Sequence, residues 1–98
     1  MPKAYWIAHV TVTDAEAYAD YTKAAPAAFQ KYGARFLARG GKTEHLEGTA
    51  HPRNVVIEFD SMTQALACYH SPEYQQAKSH RAHAAFADIM IVEGMEEA

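Results

Sequence analysis

The chain is short of the residues that usually fill a protein core. Leu, Ile, Val and Phe together supply 16 of its 98 residues. So low a share accompanies disorder only when net charge is high, and here the formal charge is −3. A single cysteine, Cys68, excludes an internal disulfide framework. No apolar run is long enough to cross a bilayer as a helix, and no basic-then-apolar leader opens the chain. Cytoplasmic residence, with no membrane partner, is therefore the expectation. Nine basic residues against twelve acidic ones form no cationic block. Nucleic-acid binding needs such a footprint and is not expected.

What the chain has instead is alanine and tyrosine, with 20 and 6 residues. Alanine packs closely but removes little area from water, at roughly 25 cal/mol per Å². A chain of this length makes one domain, residues 1–98, and is marginal when alone. A core of this kind gains from a partner, so a homodimer is expected.

Two β-α units organise the sequence. Residues 5–12 alternate and are rich in β-formers. Tyr5, Ile7, His9 and Thr11 share one face; Trp6, Ala8, Val10 and Val12 share the other. Large apolar residues on both faces predict cover on both sides. Thr13 and Glu16 have capping-box spacing and open a helix. Tyr18, Ala25, Phe29 and Tyr32 give it one apolar stripe. Pro26 predicts a kink or split near Thr22, and Gly33 a stop. Residues 34–39 read as a second strand, broken or bulged at Gly40-Gly41. Residues 42–51 read as an extended hairpin arm turning near Gly48. Residues 54–59 form a third strand. Ser61 and Gln64 cap a helix through Tyr69. Ser71-Pro72 restarts the chain as a helix to about Ala84. Residues 86–92 form a fourth strand, and 94–98 an acidic tail.

This β-α-β-β-α-β order is the ferredoxin-like α+β motif, an antiparallel sheet with its helices on one face. The other sheet face needs a cover. Two sheets packed face to face give a dimeric α+β barrel, a homodimer joined through its open sheet faces with a cavity per subunit.

The segments YWIAHVTVTDAEAYADY, RFLARGGKTEHLEG, PRNVVIEFDS, CYHSPEYQQAKSHR and IMIVEG resemble a small bacterial family catalogued as domain of unknown function 1330. The resemblance covers residues 4–94. It implies the dimeric α+β barrel fold, whose members include cofactor-free monooxygenases, muconolactone isomerase-like enzymes and haem-using enzymes. It implies no particular reaction.

Several polar residues are candidates. Glu58 lies between Ile57 and Phe59; if it faces an apolar cavity, burial raises its pKa and suits it to acid/base catalysis. The alternative is a structural pair with Arg39, Arg53 or Arg81. His9 exchanges protons near neutral pH if its face lines the cavity; otherwise it is an interface or core histidine. Arg39 beside Gly40, and Arg81, are candidate anion clamps, with a strand bulge as the structural reading of Arg39-Gly40-Gly41. Tyr69 and Tyr74 flank the Ser-Pro break and are candidate ligand contacts or packing rings. His80 and His83, with His70, have helical spacing for a metal or haem but no third ligand pattern. No metal or cofactor is expected. Trp6 and Cys68 read as packing residues. The first reading is a small-molecule enzyme without a cofactor, acting by proton transfer or oxygenation; the alternative is a non-catalytic ligand-binding or structural dimer, and the third a haem or metal protein using His80 and His83.

Overall fold

The computed structural model describes residues 2–96; Met1 and the last two residues of the acidic tail, Glu97 and Ala98, lie outside them. Strand β1 (Ala4–Val12) leads into helix α1 (Ala15–Lys31), then β2 (Arg35–Arg39), β3 (Arg53–Phe59), α2 (Met62–His70), α3 (Pro72–Ser79) and β4 (Ala85–Glu93). The sheet order is β2-β3-β1-β4, and every neighbouring pair is antiparallel. This is the ferredoxin-like α+β fold, with its second helical segment divided in two.

Alternation in β1 sorts the sheet. Ala4, Trp6, Ala8 and Val10 are buried on the helix side. Across β3 they meet Phe59, Ile57, Val55 and Arg53. Tyr5, Ile7, His9 and Thr11 point the other way, beside Glu58, Val56 and Asn54 of β3 and Val92, Met90, Asp88 and Phe86 of β4. No helix or strand among the described residues covers that second face.

The core is aromatic because aliphatic residues are scarce. Trp6, 1% exposed, is ringed by Phe29 at 5.1 Å, Tyr74 at 4.9 Å, Tyr69 at 5.6 Å and Phe59 at 6.1 Å between centroids. Edge-to-face pairs of this type add to simple area burial.

Local signals act largely as physics dictates, with four departures. The α1 cap is Asp14, whose side chain accepts from the Ala17 amide, rather than Thr13. Asp14 is the residue one before the helix, where a short carboxylate reaches the free amides best. Helix α1 also runs across Pro26 without a split. Burial of Tyr18 on one side of the proline and of Ala28 and Phe29 on the other outweighs the roughly 3 kcal/mol that an interior proline costs. Residues 42–51 form no strand arm; the segment is irregular and turns at Gly48, with φ +87°. The His45 side chain bonds the Gly48 carbonyl at 2.7 Å. Helix α3 stops at Ser79, and five turn residues carry the chain to β4. The Ala84 carbonyl accepts from Thr13 and Asp14, which ties this turn to the start of α1.

The other caps match their sequence. Ser61 accepts from the Gln64 amide, and Ser71 from the Tyr74 amide with Pro72 at the first position. The Gln64 side chain does not complete a capping box; it donates to the Tyr32 carbonyl and anchors the end of α1. Gly33 ends that helix at φ +72°.

Candidate functional site

A pocket of about 270 Å³ opens between α1 and the helix side of the sheet. Small residues create it. Ala8 on β1 and Ala25 on α1 both line it, so no side chain fills the space between strand and helix. Trp6, Phe29, Phe36, Val55, Ile57 and Ile89 wall it with apolar surface. Tyr18, Tyr21, Thr22, Arg39, Arg53 and Arg81 supply its polar groups.

A β-bulge brings Arg39 to this pocket. Phe36 pairs with Ile57 and Arg39 with Val55, while the register skips at Leu37. Residues three apart in a regular strand face opposite sides. The extra residue lets Phe36 and Arg39 share the pocket side, a common use of bulges. The Arg39 guanidinium lies 4.5 Å from the Phe36 ring centre. The irregularity therefore falls at Leu37 rather than at Gly40-Gly41. Gly40, at φ +69°, has its own role: a Cβ there would lie 3.4 Å from Nη1 of Arg53. The backbone passes beside the Arg53 side chain.

The inner end of the pocket carries a hydrogen-bond chain. Arg81 Nη2 donates to the Tyr74 hydroxyl at 3.1 Å, and the Tyr74 and Tyr21 hydroxyls are 3.0 Å apart. Tyr74 is fully buried behind the pocket; Tyr21 lines it. With Arg81 occupying an acceptor site on Tyr74, donation from Tyr74 to Tyr21 leaves the Tyr21 proton free to point into the pocket. Burial first, and the neighbouring Tyr74 second, push the Tyr21 pKa well above its ordinary value of 10.0. Tyr21 is thus a donor and not a base. Burial works against the Arg81 charge, but the Tyr74 and Tyr21 hydroxyls more than offset it, so the guanidinium stays protonated.

Glu58 and His9 lie elsewhere. Both sit on the open sheet face, across the sheet from the pocket. The Glu58 carboxylate accepts from Arg35 Nε at 2.8 Å, and Arg35 also holds Asp60 at 2.8 Å. Its partner is Arg35, not Arg39, Arg53 or Arg81. The raised pKa expected from an apolar setting is corrected: the Arg35 hydrogen bond holds the carboxyl below its usual range. With a folded value below the unfolded one, this stabilisation is complete above about pH 4.5 and fades as the pH falls through the folded value. Arg35→Gln is expected to move the Glu58 titration back up towards 4.5, read by carboxyl NMR, and to flatten the acid limb of stability. An unmoved Glu58 midpoint would contradict the pairing. His9 Nδ1 lies 2.6 Å from Asn54 Oδ1, and its ring stacks 6.2 Å from His51, which in turn meets Thr11 and Asp88.

Tyr69 is also outside the pocket. It packs on Trp6, accepts from Lys78 Nζ at 3.0 Å and lines a shallow recess between α2 and β4. His70 lines the same recess, while His80 caps α3 and His83 lies in the following turn, so the last two share no helix face. Among the described residues no three His, Cys, Asp or Glu side chains gather to hold a metal. No histidine lines the pocket to serve a haem iron. Burial pushes the Cys68 thiol up to about 12, which makes it inert at neutral pH.

Of the residues that sequence reasoning singled out as ligand contacts, Arg39 and Arg81 line the pocket and Gly40 and Tyr74 do not, while Tyr18, Tyr21 and Arg53 were missed as pocket residues. The signal was present. Tyr21 falls three after Tyr18 and four before Ala25, on the apolar stripe of α1.

The profile of a family described as Domain of unknown function (DUF1330) matches residues 3–95. The chain belongs to the DUF1330 family. No curated protein matches it in sequence. Among solved structures, this DUF1330 protein is similar to a protein of unknown function from Rhodopseudomonas palustris. The TM-score is 0.80 at 18% identity, over 98% of this chain and 85% of that one. It is similar to a cofactor-independent oxygenase from Streptomyces nogalater, with TM-score 0.65 at 12% identity over 99% and 97% of the two chains. A third likeness is to a dimeric ferredoxin-like protein of unknown function from Bacteroides fragilis, with TM-score 0.63 at 14% identity over 93% and 95%. At these identities the likeness is one of fold. No helix among the described residues of this DUF1330 protein is long and apolar enough to cross a membrane.

Proposed function

We propose that this protein is a homodimer, joined through its open sheet faces, that binds and converts a small organic compound in the helix-side pocket of each subunit without a bound cofactor. The observation that carries this reading is the Arg81–Tyr74–Tyr21 chain ending in an aromatic-walled pocket. Fixed donors in a water-poor site stabilise negative charge on a reacting oxygen, which is a large part of much enzymatic rate enhancement. Tyr21 donates directly; Tyr74 and Arg81 polarise it. Arg39 and Gly40 shape the mouth, and Tyr69 supports Trp6 from behind. No carboxylate or imidazole lines the pocket. A proton lost from the substrate passes to water at the mouth, or the substrate arrives already ionised. Glu58 and His9 belong in this reading to the dimer interface. The fold shared with a cofactor-independent oxygenase supports it at the level of architecture alone.

The same pocket also suits a non-catalytic binding protein, and one experiment separates the two. Trp6 is the single tryptophan and part of the pocket wall, so its emission reports occupancy. A panel of small aromatic and carbonyl compounds is expected to include members that shift Trp6 emission and raise the melting temperature. For those members, Tyr21→Phe should abolish turnover, followed by NMR and oxygen uptake, while leaving binding largely intact. Binding without turnover in the wild type selects the binding protein. A panel with no effect on emission or melting removes the pocket reading.

A further inference from the structure

The charge inventory of the pocket identifies its ligand class. The protein has four arginines and a net charge of −3. Only Arg35 is paired with carboxylates among the described residues. The other three, Arg39, Arg53 and Arg81, all line the same pocket, and among the described residues no Asp or Glu lines it with them. Acidic side chains outnumber basic ones in this chain, yet none among the described residues is spent on neutralising these guanidiniums.

Two of the three also hold a donor in reserve. Nε of Arg53 and Nε of Arg81 are buried and have no hydrogen-bond partner. Arg81 is 8% exposed, and its guanidinium reaches Tyr74 through Nη2, not Nε. A buried donor without an acceptor is costly, and such groups in a folded protein call for a partner the chain itself does not supply. The two arginines are linked through the pocket wall. Arg53 lies over Tyr18 at 5.8 Å, Arg81 over Tyr21 at 5.2 Å, and the two tyrosine rings are 5.3 Å apart. Guanidinium groups stacked on rings are held flat and ready for two-pronged recognition of a carboxylate.

We propose that the pocket takes a small planar aromatic carboxylate, its charged end received by Arg53 and Arg81 with help from Tyr21, and its ring against Trp6 and Phe29. This rests on the pocket being the functional site and adds the chemical class of its ligand. A volume of about 270 Å³ suits one ring or a fused pair, at the small end of organic ligand sites. Arg39, exposed at the mouth, draws the anion in.

Matched pairs test this directly. Benzoate and 2-naphthoate are titrated against Trp6 emission beside their neutral amides, benzamide and 2-naphthamide, at low and high salt. A carboxylate is expected to bind at least about tenfold tighter than its amide, which is 1.4 kcal/mol. Arg53→Gln and Arg81→Gln should each weaken the carboxylate about tenfold and leave the amide unchanged, while the exposed Lys23→Gln changes neither. Should Arg81→Gln not fold, Arg53→Gln decides alone. Amide and carboxylate binding equally well would overturn the charge assignment and leave the pocket reading standing. Carboxylate binding that ignores both arginine substitutions would overturn it too. If neither series binds but other neutral compounds do, the inference falls and the pocket remains; if nothing moves Trp6, both fall.

Discussion

Trp6→Ala is expected to destabilise the fold by about 3–5 kcal/mol, the range for removing a buried tryptophan. The indole is in contact with four other rings, on the helix side of the inner strand β1, between the sheet and all three helices. Few aliphatic side chains are near enough to close the space, because the surrounding core is mostly alanine and aromatic. Alanines cannot reach inward, and rings move as rigid plates, so the cavity stays open. Small domains hold only about 5–15 kcal/mol in total. The variant should therefore melt far below the wild type or fail to fold. Trp6→Phe, which keeps part of the stack, should fall between. Urea midpoints followed by far-ultraviolet circular dichroism measure all three. Leu46→Ala, at a site 83% exposed, is the control. A Trp6→Ala midpoint no lower than that control would mean the ring cluster contributes little to stability.

The order of strands and helices was legible because its signals are local. Alternation in β1 and β3, serine caps at Ser61 and Ser71, proline at 72 and glycine at 33 each act within a few residues. The departures arise where distant contacts decide. Pro26 speaks for a break, but the packing of Phe29 on Trp6 and Phe36 holds α1 together. Gln64 has capping-box spacing, yet its side chain finds the Tyr32 carbonyl at the far end of another helix.

The site was less legible than the fold for a related reason. A strand's two faces look alike when both carry apolar residues, as in β1. Nothing in the alternation says which face the helices take. A cavity between two facing sheets would gather Glu58 and His9 of the Tyr5–Ile7–His9 face; the pocket within the single chain lies on the Trp6–Ala8–Val10 face, under the helices, and gathers Arg39, Arg53 and Arg81. The bulge at Leu37 is equally hidden, and without it Arg39 would point to the wrong side. Tyr21 needed the three-dimensional meeting of α1 with Tyr74, 53 residues later in the chain.

Met90→Lys is expected to convert the proposed dimer into a monomer. Phe86, Met90 and Val92 are 70%, 53% and 41% exposed in the single chain, and they share the open face with Ile7 and Val56. A run of apolar side chains beside one another marks an interaction surface. Its polar members, Glu58 with Arg35, His9 with Asn54 and Asp88 with His51, already meet one another, so burying the face leaves few unmatched charges. Met90, on the edge strand β4, lies opposite Ile7 of the inner strand β1. A lysine there would carry an unpaired ammonium into the apolar part of the interface, and two-fold symmetry would bury a second one. Light scattering should give the wild type twice the 10.9 kDa chain mass and the variant a single chain. The pocket lies on the other side of the sheet, so ligand response at Trp6 distinguishes lost assembly from lost folding. A wild type of single-chain mass at micromolar concentration would instead leave the open face to a different partner.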